Sequence, residues 1–284
     1  MVAVTSVVAH RGSSADAPEH TLAAYQQAID DGADALECDV RLTADGHLVC
    51  VHDRRIDRTS DGRGAVSVMT LDDLDRLDFG RWQVDSARPA LGSDPVVVDE
   101  ARSRVLTLER LLELVVDSER EVGLAIETKH PTRYAGLVEE RTVELLQRFG
   151  LARPRSEHDS RIRIMSFSQL SMRRVRAFAP GLPTVFLMDR VPLRFRDGSL
   201  PFGARITGPS MEIVRAHPRY VLRAHRAGAQ VHVWTADEPT DVALCLALGV
   251  DAIITNRPRA VVAQVAQVAQ ASLAAPDPGL RAHG

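Results

Sequence analysis

Ala35-Leu36-Glu37-Cys38-Asp39-Val40-Arg41-Leu42 is the stretch that decides the fold. It reads as a β-strand, because β-branched and aliphatic residues alternate with polar ones over eight positions. Residues two apart on a strand share a face. Leu36, Cys38 and Val40 therefore form an apolar side suited to packing under helices, while Glu37 and Asp39 point the other way. Strands that alternate with helices along the chain, as this one does, imply a parallel sheet.

Working outward, the same unit repeats. Val4–Ala9 is a short strand ending at His10, and Thr21 to Asp31 carries Leu22, Tyr25 and Ile29 at helical spacing, with Thr21 as a cap and Gly32 as a stop. Leu48–Val51 is a short extended piece after an Asp45-Gly46 turn. Leu108–Val116 reads as helix, Val122–Thr128 as strand and Ala135–Phe149 as helix. Ile162–Phe167 is a strand, followed by a helix from Leu170 to Phe178. Thr184–Met188 and a weak Arg205–Ile206 are further strands. Arg219–Ala227 is helical, Val231–Trp234 a strand, Asp241–Leu248 a helix, Ala252–Thr255 the last strand and Arg259–Leu273 the closing helix. Eight strand–helix pairs predict an α/β fold, a (β/α)8 TIM barrel over residues 1–273. No G-x-G-x-x-G or G-x-x-x-x-G-K turn supports an open nucleotide-binding sheet. The run 54–106, rich in Asp, Arg, Gly and Pro, reads as an insertion after the second strand region, and 274–284 as a loose tail.

Composition narrows the function classes. The 284 residues carry a formal net charge of −3, and only 4% are aromatic. Near-neutral charge argues against a general grip on nucleic acid or an anionic membrane. No apolar run approaches the ~20 residues of a membrane span, and no signal peptide precedes the first strand, so the expected location is cytoplasmic. No feature of the sequence sets an oligomeric state. Cys38, Cys50 and Cys245 are odd in number and unmotifed, as expected of reduced, buried thiols.

In a barrel the C-terminal strand ends meet in one pocket. Here they deliver His10 and Arg11, then Glu37 and Asp39, then His52, then Glu127 and Lys129. Three inward carboxylates repel one another unless compensated. A hard divalent cation, Mg²⁺ or Ca²⁺, suits Glu37, Asp39 and Glu127; zinc would fit only if His10 or His52 joined the shell. With Arg11 and Lys129 the cation would make a positive pocket for a phosphate, and the histidines would supply acid and base near neutral pH. Each residue alone also has a structural reading as part of an ion network; together they read as a phosphodiesterase site.

The motifs His10-Arg11-Gly12, Pro18-Glu19-His20-Thr21, Glu37-Cys38-Asp39-Val40 and Val51-His52-Asp53 resemble the opening signature of the glycerophosphodiester phosphodiesterase family. Asp57-Arg58-Thr59-Ser60-Asp61-Gly62, Leu106-Thr107-Leu108, Ile126-Glu127-Thr128-Lys129, Ser166-Phe167, Val233-Trp234-Thr235 and Asp251-Ala252-Ile253-Ile254-Thr255 follow in the family's order, so the resemblance spans residues 8 to about 258. It implies the barrel, one divalent cation on Glu37, Asp39 and Glu127, and His10 and His52 as the general acid–base pair. It also implies phosphate contacts from Arg11 and Lys129, a supporting carboxylate in Glu19, and Trp234 as a wall of the pocket. The implied reaction releases sn-glycerol 3-phosphate from a small glycerophosphodiester. Three positions depart from the family pattern: His20 replaces the usual Asn, Asn256 the usual Asp, and Leu106 the usual Pro. His232 shares a strand face with Trp234 and reads as core or pocket lining, whereas Trp82 could cover substrate or pack the insertion. Competing readings are a phospholipase-type enzyme acting on intact or lyso phospholipids and a non-catalytic phosphate-ligand binder.

Overall fold

The computed structural model describes residues 5–80, 104–157 and 159–274. Eight parallel strands close into a barrel: β1 (Ser6–His10), β2 (Ala35–Leu42), β4 (Gly123–Thr128), β5 (Ile162–Ser166), β6 (Thr184–Met188), β7 (Ile206–Pro209), β8 (Gln230–Val233) and β9 (Ala252–Thr255). Closure is made by β1, which pairs with β2 on one side and with β9 on the other. The short β3 (Leu48–Cys50) is antiparallel to β2, hung on the turn at Gly46, whose φ of +87° favours glycine.

Helices follow the strands. They are α1 (Leu22–Asp30), α2 (Leu71–Asp75), α3 (Leu108–Asp117), α4 (Leu137–Arg148), α5 (Gln169–Phe178), α6 (Met211–Ala216), α7 (Arg219–Arg226), α8 (Pro239–Leu248) and α9 (Pro258–Ala274). Side-chain caps start several of them: Thr21, Thr107, Ser168 and Ser210 each accept a backbone N–H of the first turn. The expected elements recur with small shifts at their ends. Two differences are substantive. The weak strand extends to Pro209, and a six-residue helix, α6, precedes the anticipated one at Arg219. Part of the first strand, Trp82 and most of the tail lie outside the described residues.

The alternation of β2 sorts as its sequence dictates. Leu36, Cys38 and Val40 are buried in the layer between barrel and helices, with Leu111, Leu112 and Leu146. Inside the barrel, Val8, Ala35, Ala125, Met165, Val185, Leu187, Ile206, Ala252 and Ile254 form an apolar layer. Two residues further along β1, β2 and β4 the side chains become ionisable: Val8 gives way to His10, Ala35 to Glu37 and Ala125 to Glu127. The apolar layer is the floor on which the polar site stands. Residues 56–79 of the insertion build a separate apolar cluster, in which Ile56, Val66, Leu74 and Phe79 meet Val49, Val51 and Val105. All three cysteines are free and buried. Among the described residues no helix is long and apolar enough to cross a membrane.

The turn after β1 is tightly specified. Arg11 has φ +59° and Gly12 φ +84°, and a Cβ on Gly12 would lie 2.6 Å from the backbone carbon of Ala24 in α1. Gly12→Ala is therefore expected to combine a left-handed-backbone penalty with overpacking and to destabilise the fold by about 2–4 kcal/mol. Urea denaturation checks this; a loss below about 1 kcal/mol would mean that α1 shifts freely.

Candidate active site

The polar residues at the barrel mouth converge. In the strand register His10 sits opposite Glu37, and Asp39 opposite Glu127. Glu37, Asp39 and Glu127 each offer a carboxylate oxygen, and these oxygens lie within 4.8 Å of one another. All three residues are buried. A cavity of about 250 Å³ opens beside them, lined on one side by His10, Arg11, Glu37, His52, Glu127 and Lys129 and on the other by Met165, Phe167, Leu187, Trp234 and Ile254. Phe167 meets Trp234 edge to face at 5.4 Å, and the indole N–H of Trp234 donates to the carbonyl of Gly208 at 2.7 Å, which fixes that wall.

The carboxylates differ in what surrounds them. Asp39 is the hub. His20 Nε2 lies 2.9 Å from its Oδ2, and Lys129 Nζ 3.2 Å from its Oδ1. Arg11 Nε is 3.1 Å from Oδ2, close enough for an ion pair although its N–H is not aimed at that oxygen. Burial opposes ionisation of Asp39, but the His20 hydrogen bond and the charges of Lys129 and Arg11 overcome it and hold the carboxyl well below its usual range. Burial and the repulsion of Asp39 push Glu37 in the opposite direction, well above its usual range. The same two causes push Glu127 up to about 8, despite Lys129 Nζ at 2.8 Å. A pocket that holds three carboxyls and compensates only one of them matches the oxygen-donor set of a hard divalent cation.

The two histidines are held alike, each by Nδ1. Asn256 Nδ2 donates to Asp237 at 2.6 Å, which orients the amide and turns Oδ1 toward His10 Nδ1 at 2.7 Å. His10 then carries its proton on Nδ1, and its Nε2 faces Glu37 from 4.0 Å. Burial first, and Arg11 second, lower its pKa to about 4, so it is a neutral base at neutral pH. His52 Nδ1 instead lies 2.7 Å from the Asp53 carboxylate. Burial lowers its pKa as well, with Arg11 and Lys129, while Asp39 and Asp53 oppose the shift. Behind His52, Arg41 on β2 donates Nε and Nη2 to the His52 carbonyl at 3.0 and 2.6 Å.

Glu19 stands beside the main cavity rather than in its lining. It accepts from Arg11 at 3.2 Å and from both terminal nitrogens of Arg58 at 2.7 and 2.8 Å. Burial would raise its pKa, but Arg58 and Arg11 bring it down to about 2. Arg58 also donates to Asp53 at 2.7 Å, so one guanidinium ties the carboxylate behind His52 to the one behind Arg11. His20 bonds Asp39 and the Tyr25 hydroxyl, which in turn donates to the Glu37 carbonyl at 3.0 Å. His232 is buried inside the barrel below this layer, its pKa lowered to about 3 by burial and Arg163.

Sequence reasoning did not single out Asp53, Arg58, Arg41, Tyr25 or Asn256 as site residues. Asp53, just past β3, and Arg58, in the loop beyond it, lie within two of the family-like motifs, and their charge is the signal available in the sequence. Asn256 stands out in the sequence only as a departure from the family pattern; its partner is 246 positions away in sequence.

Comparison with known proteins identifies the family. Residues 10–260 match the glycerophosphoryl diester phosphodiesterase family. The chain is 48% identical over 252 residues to a probable glycerophosphodiester phosphodiesterase 1 of Mycobacterium tuberculosis, covering 89% of each chain. It is 33% identical over 258 residues to the glycerophosphodiester phosphodiesterase of Bacillus subtilis, covering 88% of this chain and 83% of that one. Among solved structures, a glycerophosphodiester phosphodiesterase from Agrobacterium tumefaciens superposes with a TM-score of 0.71 at 26% identity, covering 91% of this chain and 99% of that one. A phosphodiesterase from Oleispira antarctica, in complex with the product sn-glycerol-3-phosphate, superposes with a TM-score of 0.75 at 23% identity, over 93% and 97% of the two chains, which shows the shared fold. The barrel, the ordered strand-end motifs and the family match along 10–260 together establish that this chain belongs to the glycerophosphoryl diester phosphodiesterase family, a family of phosphodiesterase hydrolases.

Proposed function

We propose that the protein hydrolyses small glycerophosphodiesters to an alcohol and sn-glycerol 3-phosphate, with one divalent cation, Mg²⁺ or Ca²⁺, held by Glu37, Asp39 and Glu127. The observation that carries this reading is the trio of carboxylates within 4.8 Å beside two histidines anchored through Nδ1. The relatives' names and the product in the Oleispira antarctica complex point to the same chemistry. A bound cation supplies positive charge that polarises the phosphoryl group and neutralises the carboxylates.

The chain's own residues divide the remaining work. Arg11 and Lys129 flank the carboxylates and contact the non-bridging phosphate oxygens, stabilising charge that builds there. Trp234 and Phe167 form the apolar wall against which the carbon skeleton of the substrate lies. His10 is the base. Its Nδ1 is engaged by the neutral Asn256 amide, so Nε2 is available to take a proton from the attacking oxygen, whether that oxygen belongs to water or to a substrate hydroxyl. His52 is the acid. Burial, Arg11 and Lys129 lower its pKa on balance, while the Asp53 carboxylate at Nδ1 opposes that shift, so the protonated fraction of His52 is what gives Nε2–H to the leaving oxygen. Glu19 holds Arg11 in place rather than touching phosphate.

A lipid-cleaving reading gains one observation. Phe167, which lines the pocket, is 42% exposed, and Leu170, three residues on, is 51% exposed, an apolar patch not apparent from the sequence. Glycerol 3-phosphate release from a panel of glycerophosphodiesters, with Mg²⁺, Ca²⁺ or chelator, tests the main reading, and phospholipid vesicles run alongside test the other. Cation-dependent release from the small diesters is expected, with at least about a hundredfold loss in chelator. Release from vesicles alone would replace the main reading with the lipid one, and release undiminished by chelator would remove the cation.

A further inference from the structure

A second, smaller cavity of about 40 Å³ adjoins the catalytic pocket, and Lys129 lines both. Its charged lining is Arg41, Arg54, Arg133 and Lys129, with Ser67 and Thr132 also lining it, and among the described residues no carboxylate lines it. Lys129 faces Asp39 and Glu127 on the catalytic side, at 3.2 and 2.8 Å. Arg41 directs Nε and Nη2 to the His52 carbonyl. Arg54 and Arg133 have no carboxylate partner among the described residues.

Cations gathered without acids raise the local potential and attract anions. Guanidinium forks match phosphate oxygens in pairs. At roughly 10–15 Å³ per water-sized oxygen, this cavity has room for about three, the number of terminal oxygens on a phosphomonoester. Its position also matters. Arg41 ties the cavity to the backbone of His52, the residue that serves the leaving oxygen, whereas the apolar wall of Phe167 and Trp234 lies across the catalytic pocket.

We propose that this crevice is an anion subsite for the leaving alcohol, so that the favoured glycerophosphodiesters carry a second phosphate on the head group. The proposal rests on the hydrolytic reading given above. Phosphate on the head group would reach past Lys129 and be clasped by Arg54 and Arg133, which are exposed enough to change without disturbing the core.

The test compares glycerophosphoinositol with glycerophosphoinositol 4-phosphate in the wild type and in the double variant Arg54→Ala, Arg133→Ala. The wild type is expected to prefer the phosphorylated substrate by about tenfold or more in kcat/KM. The double variant should lose that preference while handling the unphosphorylated substrate within about twofold of wild type. The preference should shrink between about 50 and about 500 mM salt. Equal kcat/KM for the two substrates in the wild type, or a preference that survives in the double variant, would overturn the subsite and leave two solvated arginines. Calorimetric titration of both diesters in chelator separates this from failure of the hydrolytic reading. If neither diester is cleaved under any condition, but the phosphorylated one binds the wild type about tenfold more tightly than the double variant, the subsite stands and hydrolysis falls. Equal binding would sink the subsite independently.

Discussion

His52→Ala is expected to lower kcat for a glycerophosphodiester with a poor alcohol leaving group by about 10²–10⁴-fold, the range of general acid–base catalysis. The same variant should lose less than about tenfold on the p-nitrophenyl diester of glycerol phosphate, because a nitrophenolate departs without a proton. His10→Ala should fail on both substrates, since its task is the attacking oxygen rather than the leaving one. The asymmetry follows from the anchors: a neutral amide behind His10 and a carboxylate behind His52. Asp53→Asn should move the His52 profile part of the way, weakening the acid while leaving the nitrophenyl substrate nearly unaffected. Steady-state kinetics on the two substrates decides the assignment. If His10→Ala spares the nitrophenyl diester and His52→Ala does not, the two roles are exchanged.

The second large effect concerns two carboxylates on adjacent strands. Asp39→Asn is expected to destabilise the protein by about 3–5 kcal/mol, because it leaves Lys129 and Arg11 buried beside a neutral amide. Glu127→Gln should behave differently. With its pKa raised to about 8, Glu127 is largely protonated at neutral pH when no cation is present, so a neutral amide replaces a neutral acid. The sign follows from linkage. A carboxyl raised in the folded state binds its proton more tightly there than in the unfolded chain. Its stabilisation is complete below the unfolded value of 4.5 and is lost as pH rises through about 8. In chelator, wild type should therefore lose stability between about pH 5 and about pH 8 relative to Glu127→Gln. Divalent cation should stabilise wild type and neither variant. Urea midpoints at several pH values, with and without cation, check all of this. An Asp39→Asn protein within about 1 kcal/mol of wild type would show that Asp39 is not the electrostatic hub.

Much of this site was legible because strands have period two. Glu37 and Asp39 had to share a face, and the apolar residues between them had to meet helices. What the sequence did not disclose has physical reasons. β7 ends in Gly208-Pro209, residues that read as a turn, yet the strand is held by its pairing with β6 and by the Trp234 indole on the Gly208 carbonyl. The helix α6 is six residues long, too short for a helical period to register, and it is defined by its Ser210 cap and by the ending at His217. The anchors of the histidines were invisible for another reason. A hydrogen bond between positions 10 and 256 leaves no trace in local pattern, and an arginine such as Arg58 looks the same whether it is solvated or joins two carboxylates.

The seam that closes the barrel joins the first strand to the last, with Val7 opposite Ile253. Synthesis runs from one edge of that seam to the other, so a nascent chain holds His10, Glu37, Asp39, His52 and Glu127 long before Asn256 exists to orient His10. Seven strands must wait as an open sheet with a bare edge until the eighth arrives, and such long-range pairing folds slowly. Catalytic competence thus comes last and all at once. Activity in a cell would report only chains that include the final strand, and a truncation before it would be silent even with His10, Glu37, Asp39, His52 and Glu127 in place.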